Sequence, residues 1–136
     1  MARVLYVEKV FSTLSQMSLI TGEMPDLAPE ILRQRLVVEG SLAAPIGAVE
    51  IEGYLAQLSN VCGMRRLNDP VTHCSESYGW AGWVHWESSG AHMYAWERPR
   101  LFFSVDIYTC KAFDADAVLQ FTADFFGAGE VVAKSF

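Results

Sequence analysis

Ser88-Ser89-Gly90, His92, Tyr94 and Cys110 are the residues of this chain whose types and spacing could do chemistry. The serines lie between two alternating runs, Ala81 to Trp86 and Ala91 to Trp96, and a third apolar run from Leu101 to Tyr108 leads to the cysteine. Alternation with period two predicts strands, and Glu87-Ser88-Ser89-Gly90 predicts the turn between the first two. A turn serine and a strand-end cysteine therefore belong to one folded segment, and a hydroxyl or thiol there can act once a neighbour manages its proton. His92 and Tyr94 would share a strand face. Imidazole is the better base near neutral pH, because a phenol with an ordinary pKa of about 10 serves mainly as a hydrogen-bond donor. The same residues also have structural readings. Ser and Gly favour turns, a buried strand-end thiol behaves as a small hydrophobe, and a strand histidine can be purely structural.

The flanking elements must position these groups. Ala2 to Thr13 alternates and predicts a first strand. Pro29-Glu30 can open a short helix through Arg35, since proline is tolerated in a first turn, and Gly40 and Pro45 break the run that follows. Ala48 to Val61 places Val49, Ile51, Tyr54, Leu55 and Leu58 at helical spacing, with Gly63 as the stop. Met64 to Leu67 predicts a short strand and Asn68-Asp69-Pro70 a turn. Asp114 can cap a helix through Phe125 whose buried face is Val118, Leu119, Phe121 and Phe125. Gly127 and Gly129 end it before a short strand at Val131 to Ala133. Strand, helix, several strands, helix and strand predict an α+β fold, a mostly antiparallel sheet with helices on one face, in a single domain over residues 1–136.

Composition excludes several functions. The chain has 136 residues, a net charge of −6 and 51% hydrophobic residues. Its few cations are scattered apart from Arg65-Arg66 and the Arg98/Arg100 pair, which argues against nucleic acid as a partner. No apolar run is long enough to span a bilayer, and the amino terminus lacks the apolar core of a secretion signal, so a cytoplasmic location without a membrane partner is expected. Cys62, Cys74 and Cys110 are an odd number at wide spacing, which suits reduced thiols and offers no metal-ligand pattern.

Gly79 to Trp96, GWAGWVHWESSGAHMYAW, resembles the pattern G-x-x-G-x-x-x-x-x-E-S-H-x-S-I-H-T-W of the small bacterial S-adenosylmethionine decarboxylases, and it matches without a gap. Both glycines, the serine as Ser89 and the closing Trp96 coincide. Farther on, ERPRLFFSVDIYTC resembles P-E-x-G-Y-A-x-x-D-[IV]-F-T-C with one extra residue, matching at Asp106, Ile107, Thr109 and Cys110. The resemblance covers roughly residues 46–134 and implies a two-layer α/β sandwich that pairs into a homodimer. It also implies that Ser89 attacks the carbonyl before it, breaks the chain and becomes a pyruvoyl group. That ketone is the electron sink for decarboxylating S-adenosylmethionine or a related amino acid. Cys110 falls at the acid that reprotonates the product.

The match is partial. The family's Glu before the serine is Ser88, the His after it is Gly90, and the processing histidine is Tyr94, with His92 nearby as a substitute. A one-residue slip would make Glu87-Ser88 the Glu-Ser pair at the cost of a bulge; the ungapped reading is preferred. On the substrate side Trp96 matches, while Glu97 could supply the family's ribose-binding carboxylate from a shifted position. Arg98 and Arg100 suit an anionic group on the substrate, although a solvated arginine pair explains them as well. Trp80, Trp83, Trp86 and Trp96 fit an adenine pocket, a core or a subunit interface. The missing residues leave three expectations: a pyruvoyl-dependent decarboxylase, an unprocessed homologue that binds S-adenosylmethionine or a nucleoside or runs another reaction, and a non-catalytic partner subunit.

Overall fold

The computed structural model describes residues 22–136, so the strand expected at Ala2 to Thr13 lies outside the described residues. Residues 22–30 belong to one unit, whose described part holds bends and turns, and Ile31 to Phe136 form a second. The second unit runs β1 (Gln34–Ser41), α1 (Ala48–Val61), β2 (Val71–Ser75), β3 (Gly79–Trp86), β4 (Ser89–Trp96), β5 (Phe102–Thr109), α2 (Ala115–Phe126) and β6 (Val131–Ser135). The six strands form one sheet in the order β2-β3-β4-β5-β1-β6, with every neighbouring pair antiparallel.

Alternation decides which side of each strand enters the core. Ala91, Met93 and Ala95 of β4 are buried together with Phe103, Val105 and Ile107 of β5 and with Leu36 and Val38 of β1. The helices close over this side. Helix α1 contributes Ile51, Tyr54, Leu55 and Leu58, one stripe at helical spacing. Tyr54 stacks on Phe121 of α2 with centroids 5.5 Å apart, and its hydroxyl shares a buried 2.8 Å hydrogen bond with Thr122. Gly82 of β3 lets α1 lie close, because a Cβ there would collide with Ile51. Asp114 caps α2 by accepting from the Ala117 amide at 3.1 Å, and Gly127 ends it in the left-handed region at φ 55°.

Several sequence expectations need correction. The helix proposed from Pro29 to Arg35 is a turn followed by β1, whose Leu36 and Val38 alternate into the core as strand residues do. Gly40 lies within β1, where the Phe103 ring fills the space a side chain would need. Val49 is on the outer face of α1 and 79% exposed. The strand expected at Met64 to Leu67 is a single bridge between Arg66 and Trp86. Strand β2 had no expectation at all, because Val71–Ser75 at the sheet edge buries little and shows no apolar alternation.

Candidate active site

Strands β3 and β4 meet in a hairpin whose closing pair is Trp86 opposite Ser89, leaving Glu87 and Ser88 as the turn. Trp86 anchors the hairpin. Its ring is buried, and its indole N–H donates to Ser59 Oγ of α1 at 2.7 Å. On the outer side, the Glu87 amide donates to the Arg65 carbonyl at 3.0 Å, and the Leu67 amide donates to the His85 carbonyl at 2.9 Å. Ser88 Oγ donates to the Met64 sulfur at 3.0 Å. Each turn residue is thus held from outside the hairpin.

The Ser88–Ser89 peptide is the centre of the arrangement. The Ser88 carbonyl accepts from the Cys110 amide at 2.9 Å and from the Cys110 thiol at 3.3 Å. Two donors on one carbonyl polarise its carbon and would stabilise negative charge on its oxygen. Ser89 has φ +134°, and it is the single non-glycine residue with positive φ among the described residues. Its Cα partner on β5 is Thr109, so the cysteine comes next to the hairpin through strand register. Thr109 Oγ1 donates to the Lys111 carbonyl at 2.6 Å and Lys111 Nζ to the Gly63 carbonyl at 2.9 Å, which ties the end of β5 down.

A cavity of about 280 Å³ opens beside the hairpin on the face of the sheet away from the helices. It is lined by His85, Ser89, Gly90, His92, Asp106 and Tyr108, among others. Asp106 carries a forked ion pair from Arg35 of β1, with Arg35 Nε 3.0 Å from Oδ1 and Nη2 2.7 Å from Oδ2. The carboxylate, first by this hydrogen bond and then by its charge, raises the Arg35 pKa above its ordinary value. Asp106 therefore joins β1 to β5, a role the sequence could not assign while Arg35 was read as helical. Elsewhere, burial pushes the Cys62 thiol up to about 12. Among the described residues no group of three or more His, Cys, Asp or Glu could hold a metal ion, and no helix is long and apolar enough to cross a membrane.

The sequence-derived site residues separate into two groups. Ser89 and Cys110 meet through the Ser88 carbonyl, and His92 lines the same cavity. Tyr94 is five positions along β4 from Ser89, about 16 Å of extended chain, with its ring near Trp96 at 6.0 Å. Trp96 in turn lies 5.4 Å from Phe102. Glu97 and Arg98 line a different cavity of about 150 Å³, with Tyr78 and Trp80, at the other end of β4. His85 was missed by sequence reasoning. Its signal was the hairpin itself, since two-residue turn geometry places it opposite Gly90.

An antiparallel six-stranded sheet backed by two helices defines an α+β sandwich, with a candidate site where a strained serine follows a doubly hydrogen-bonded carbonyl. The family model described as S-adenosylmethionine decarboxylase matches residues 47–136, and the chain belongs to that family. The crystal structure of the adenosylmethionine decarboxylase from Aquifex aeolicus VF5 superposes with a TM-score of 0.62 at 15% identity, covering 78% of this chain and 89% of that one. That likeness shows the shared fold. No curated protein matches the chain by sequence.

Proposed function

We propose that this chain is a pyruvoyl-dependent decarboxylase of S-adenosylmethionine or a related amino acid, processed between Ser88 and Ser89. One observation carries the reading: the Ser88 carbonyl accepts both the amide and the thiol of Cys110 while the next residue is a serine at φ +134°. The donors make the carbonyl carbon electrophilic, and release of backbone strain at Ser89 favours breaking that peptide bond. The residues present fit the group the family makes, which would sit at the new amino terminus beside Cys110 and the cavity. A ketone there supplies an electron sink for loss of carbon dioxide from an amino acid. In this reading Cys110, a free and exposed thiol just after β5, would hand a proton to the product.

The division of the site residues supports a homodimer as part of this reading. Ser89 and Cys110 are at one end of β4, while Trp96, Glu97 and Arg98 are at the other. The open face between them carries Trp83, Tyr94 and Tyr108, at 36%, 45% and 47% exposure. A second copy on this face with its β4 running antiparallel would bring its far end to the first copy's hairpin, an isologous contact. Such a pair completes the substrate side with the partner copy. Light scattering should report a mass twice that of the chain.

The deciding experiment is intact mass spectrometry of fresh protein. The reading expects two fragments, residues 1–88 and 89–136, with a borohydride-sensitive carbonyl on the second. A single full-length species without that carbonyl sinks it. The phenol of Tyr94, where the family pattern has its processing histidine, favours a second reading, an unprocessed homologue that binds S-adenosylmethionine intact. Calorimetric binding without carbon dioxide release would support that alternative.

A further inference from the structure

Resting on the reading that the chain is processed between Ser88 and Ser89, we infer that Thr109 is a positioning residue for that cleavage. Its hydroxyl holds both donors of Cys110 on the Ser88 carbonyl. The sheet register by itself would not do this. Ser89 is opposite Thr109 in the last pair of the β4–β5 ladder, so a continued ladder would set Ser88 opposite Cys110. An antiparallel pair of that kind can exchange two backbone bonds. Among the described residues only one of them forms, from the Cys110 amide to the Ser88 carbonyl at 2.9 Å. The chain leaves the ladder there, and the Cys110 thiol joins as a second donor to the same oxygen at 3.3 Å.

The side chain of Thr109 accounts for that departure. Its hydroxyl donates to the carbonyl of Lys111, two residues on, at 2.6 Å, which closes a local loop around Cys110. Thr109 is buried, so losing this bond would leave an unsatisfied hydroxyl in the core. The acceptor is a backbone carbonyl, which no substitution at position 111 removes. Thr109 makes no bond to the Ser88 carbonyl and acts on it through Cys110.

Both sides of the contact also rest on one base. Lys111 Nζ donates to the Gly63 carbonyl at 2.9 Å, and Ser88 Oγ donates to the sulfur of Met64 at 3.0 Å. The donors and their acceptor are thereby tied to consecutive residues just past α1. Met64 is itself fixed, with its side chain buried and its amide on the Ser59 carbonyl at 2.8 Å. A shared base fixes the separation between the Cys110 donors and the Ser88 oxygen, as a preorganised oxyanion site requires.

The test follows cleavage of the full chain by intact mass for wild type, Thr109→Val, Thr109→Ser and Cys110→Ala. Valine keeps the shape and suits a strand end, but it lacks the hydroxyl. Freeing the Lys111 carbonyl lets both Cys110 donors shift, and a misplacement of about 1 Å costs about 100-fold. Thr109→Val should therefore cleave about 100-fold more slowly than wild type, a larger loss than the roughly 10-fold for removing the thiol alone. Thr109→Ser should restore most of the rate. A second measurement separates position from processing. In the non-cleaving Ser89→Ala chain, adding Thr109→Val should speed hydrogen exchange of the Cys110 amide about fivefold and leave the β1 amides unchanged. Wild-type cleavage in Thr109→Val, equal loss in Thr109→Val and Thr109→Ser, or unchanged Cys110 exchange overturns the assignment and leaves the decarboxylase reading standing. Faster exchange throughout β1 would mark a general loosening and overturns it as well. A wild-type chain that never cleaves ends both.

Discussion

Replacing Ser89 by glycine should make the protein more stable than replacing it by alanine. The reason lies in the backbone, since Ser89 holds φ +134° while the other positive-φ positions described are Gly63, Gly79 and Gly127. A residue with a Cβ held in such a region stores on the order of 1–3 kcal/mol. Ser89→Ala keeps the Cβ and that strain; Ser89→Gly removes both. Glycine gives back roughly 0.5–1 kcal/mol through the greater freedom of the unfolded chain. The balance favours Ser89→Gly by about 1 kcal/mol, which for a chain of this size is a Tm difference of about 4 °C. Both variants lack Oγ and cannot process, so the comparison isolates the backbone from cleavage. Calorimetric melts and urea titrations of the two proteins give the answer. Equal stability, or a more stable alanine variant, would refute the argument that the hairpin stores strain at the Ser88–Ser89 peptide.

Two further outcomes follow from the cysteines. Cys110→Ala removes the thiol donor but leaves the amide donor on the Ser88 carbonyl. Because a thiol is a weak donor, cleavage should slow by about 10-fold, less than for loss of a full oxyanion donor. Cys110→Ser should restore most of the rate, and unaltered cleavage in Cys110→Ala would show the thiol contact to be idle. Cys62 is buried, and burial pushes its thiol from 9.0 up to about 12. Its folded pKa is raised, so its contribution to stability is complete below about pH 9 and is lost as pH rises from 9 toward 12. Urea midpoints should fall across that window, with Tyr54, also pushed up by burial, adding a fall of the same sign. Cys62→Ala should flatten part of the slope. In native protein a thiol reagent should modify Cys74 and Cys110 and reach Cys62 only on unfolding; equal reactivity of all three would contradict its burial.

Much of the fold was legible because its strongest elements obey a single period. Helix α1 coincides with the expected Ala48 to Val61, and β3, β4 and β5 contain nearly all of the three expected strands, since their alternate residues enter one core. The errors occur where local and tertiary signals conflict. Pro29 offered a helix start, but the inward Leu36 and Val38 fit a slot between β5 and β6 that exists only in the assembled sheet. Gly40 read as a breaker and proved to be a place for the Phe103 ring. The edge strand β2 buries too little to leave a pattern. At the site, Ser89 and Cys110 were visible as residue types in a recognisable order. Their joint engagement of the Ser88 carbonyl was not, because it depends on register between the hairpin and β5.

The residues this chain keeps from the family pattern and those it has changed perform different physical tasks. Ser89, Cys110 and Asp106 remain, and they shape the Ser88–Ser89 peptide and its surroundings: the strained φ, the two donors and the ion pair that ties β5 to β1. The changed positions, Ser88, Gly90 and Tyr94, are those where the family has groups able to move a proton. The groups that polarise the Ser88 carbonyl are therefore kept, while the positions that would move a proton in the proposed reaction carry other residues.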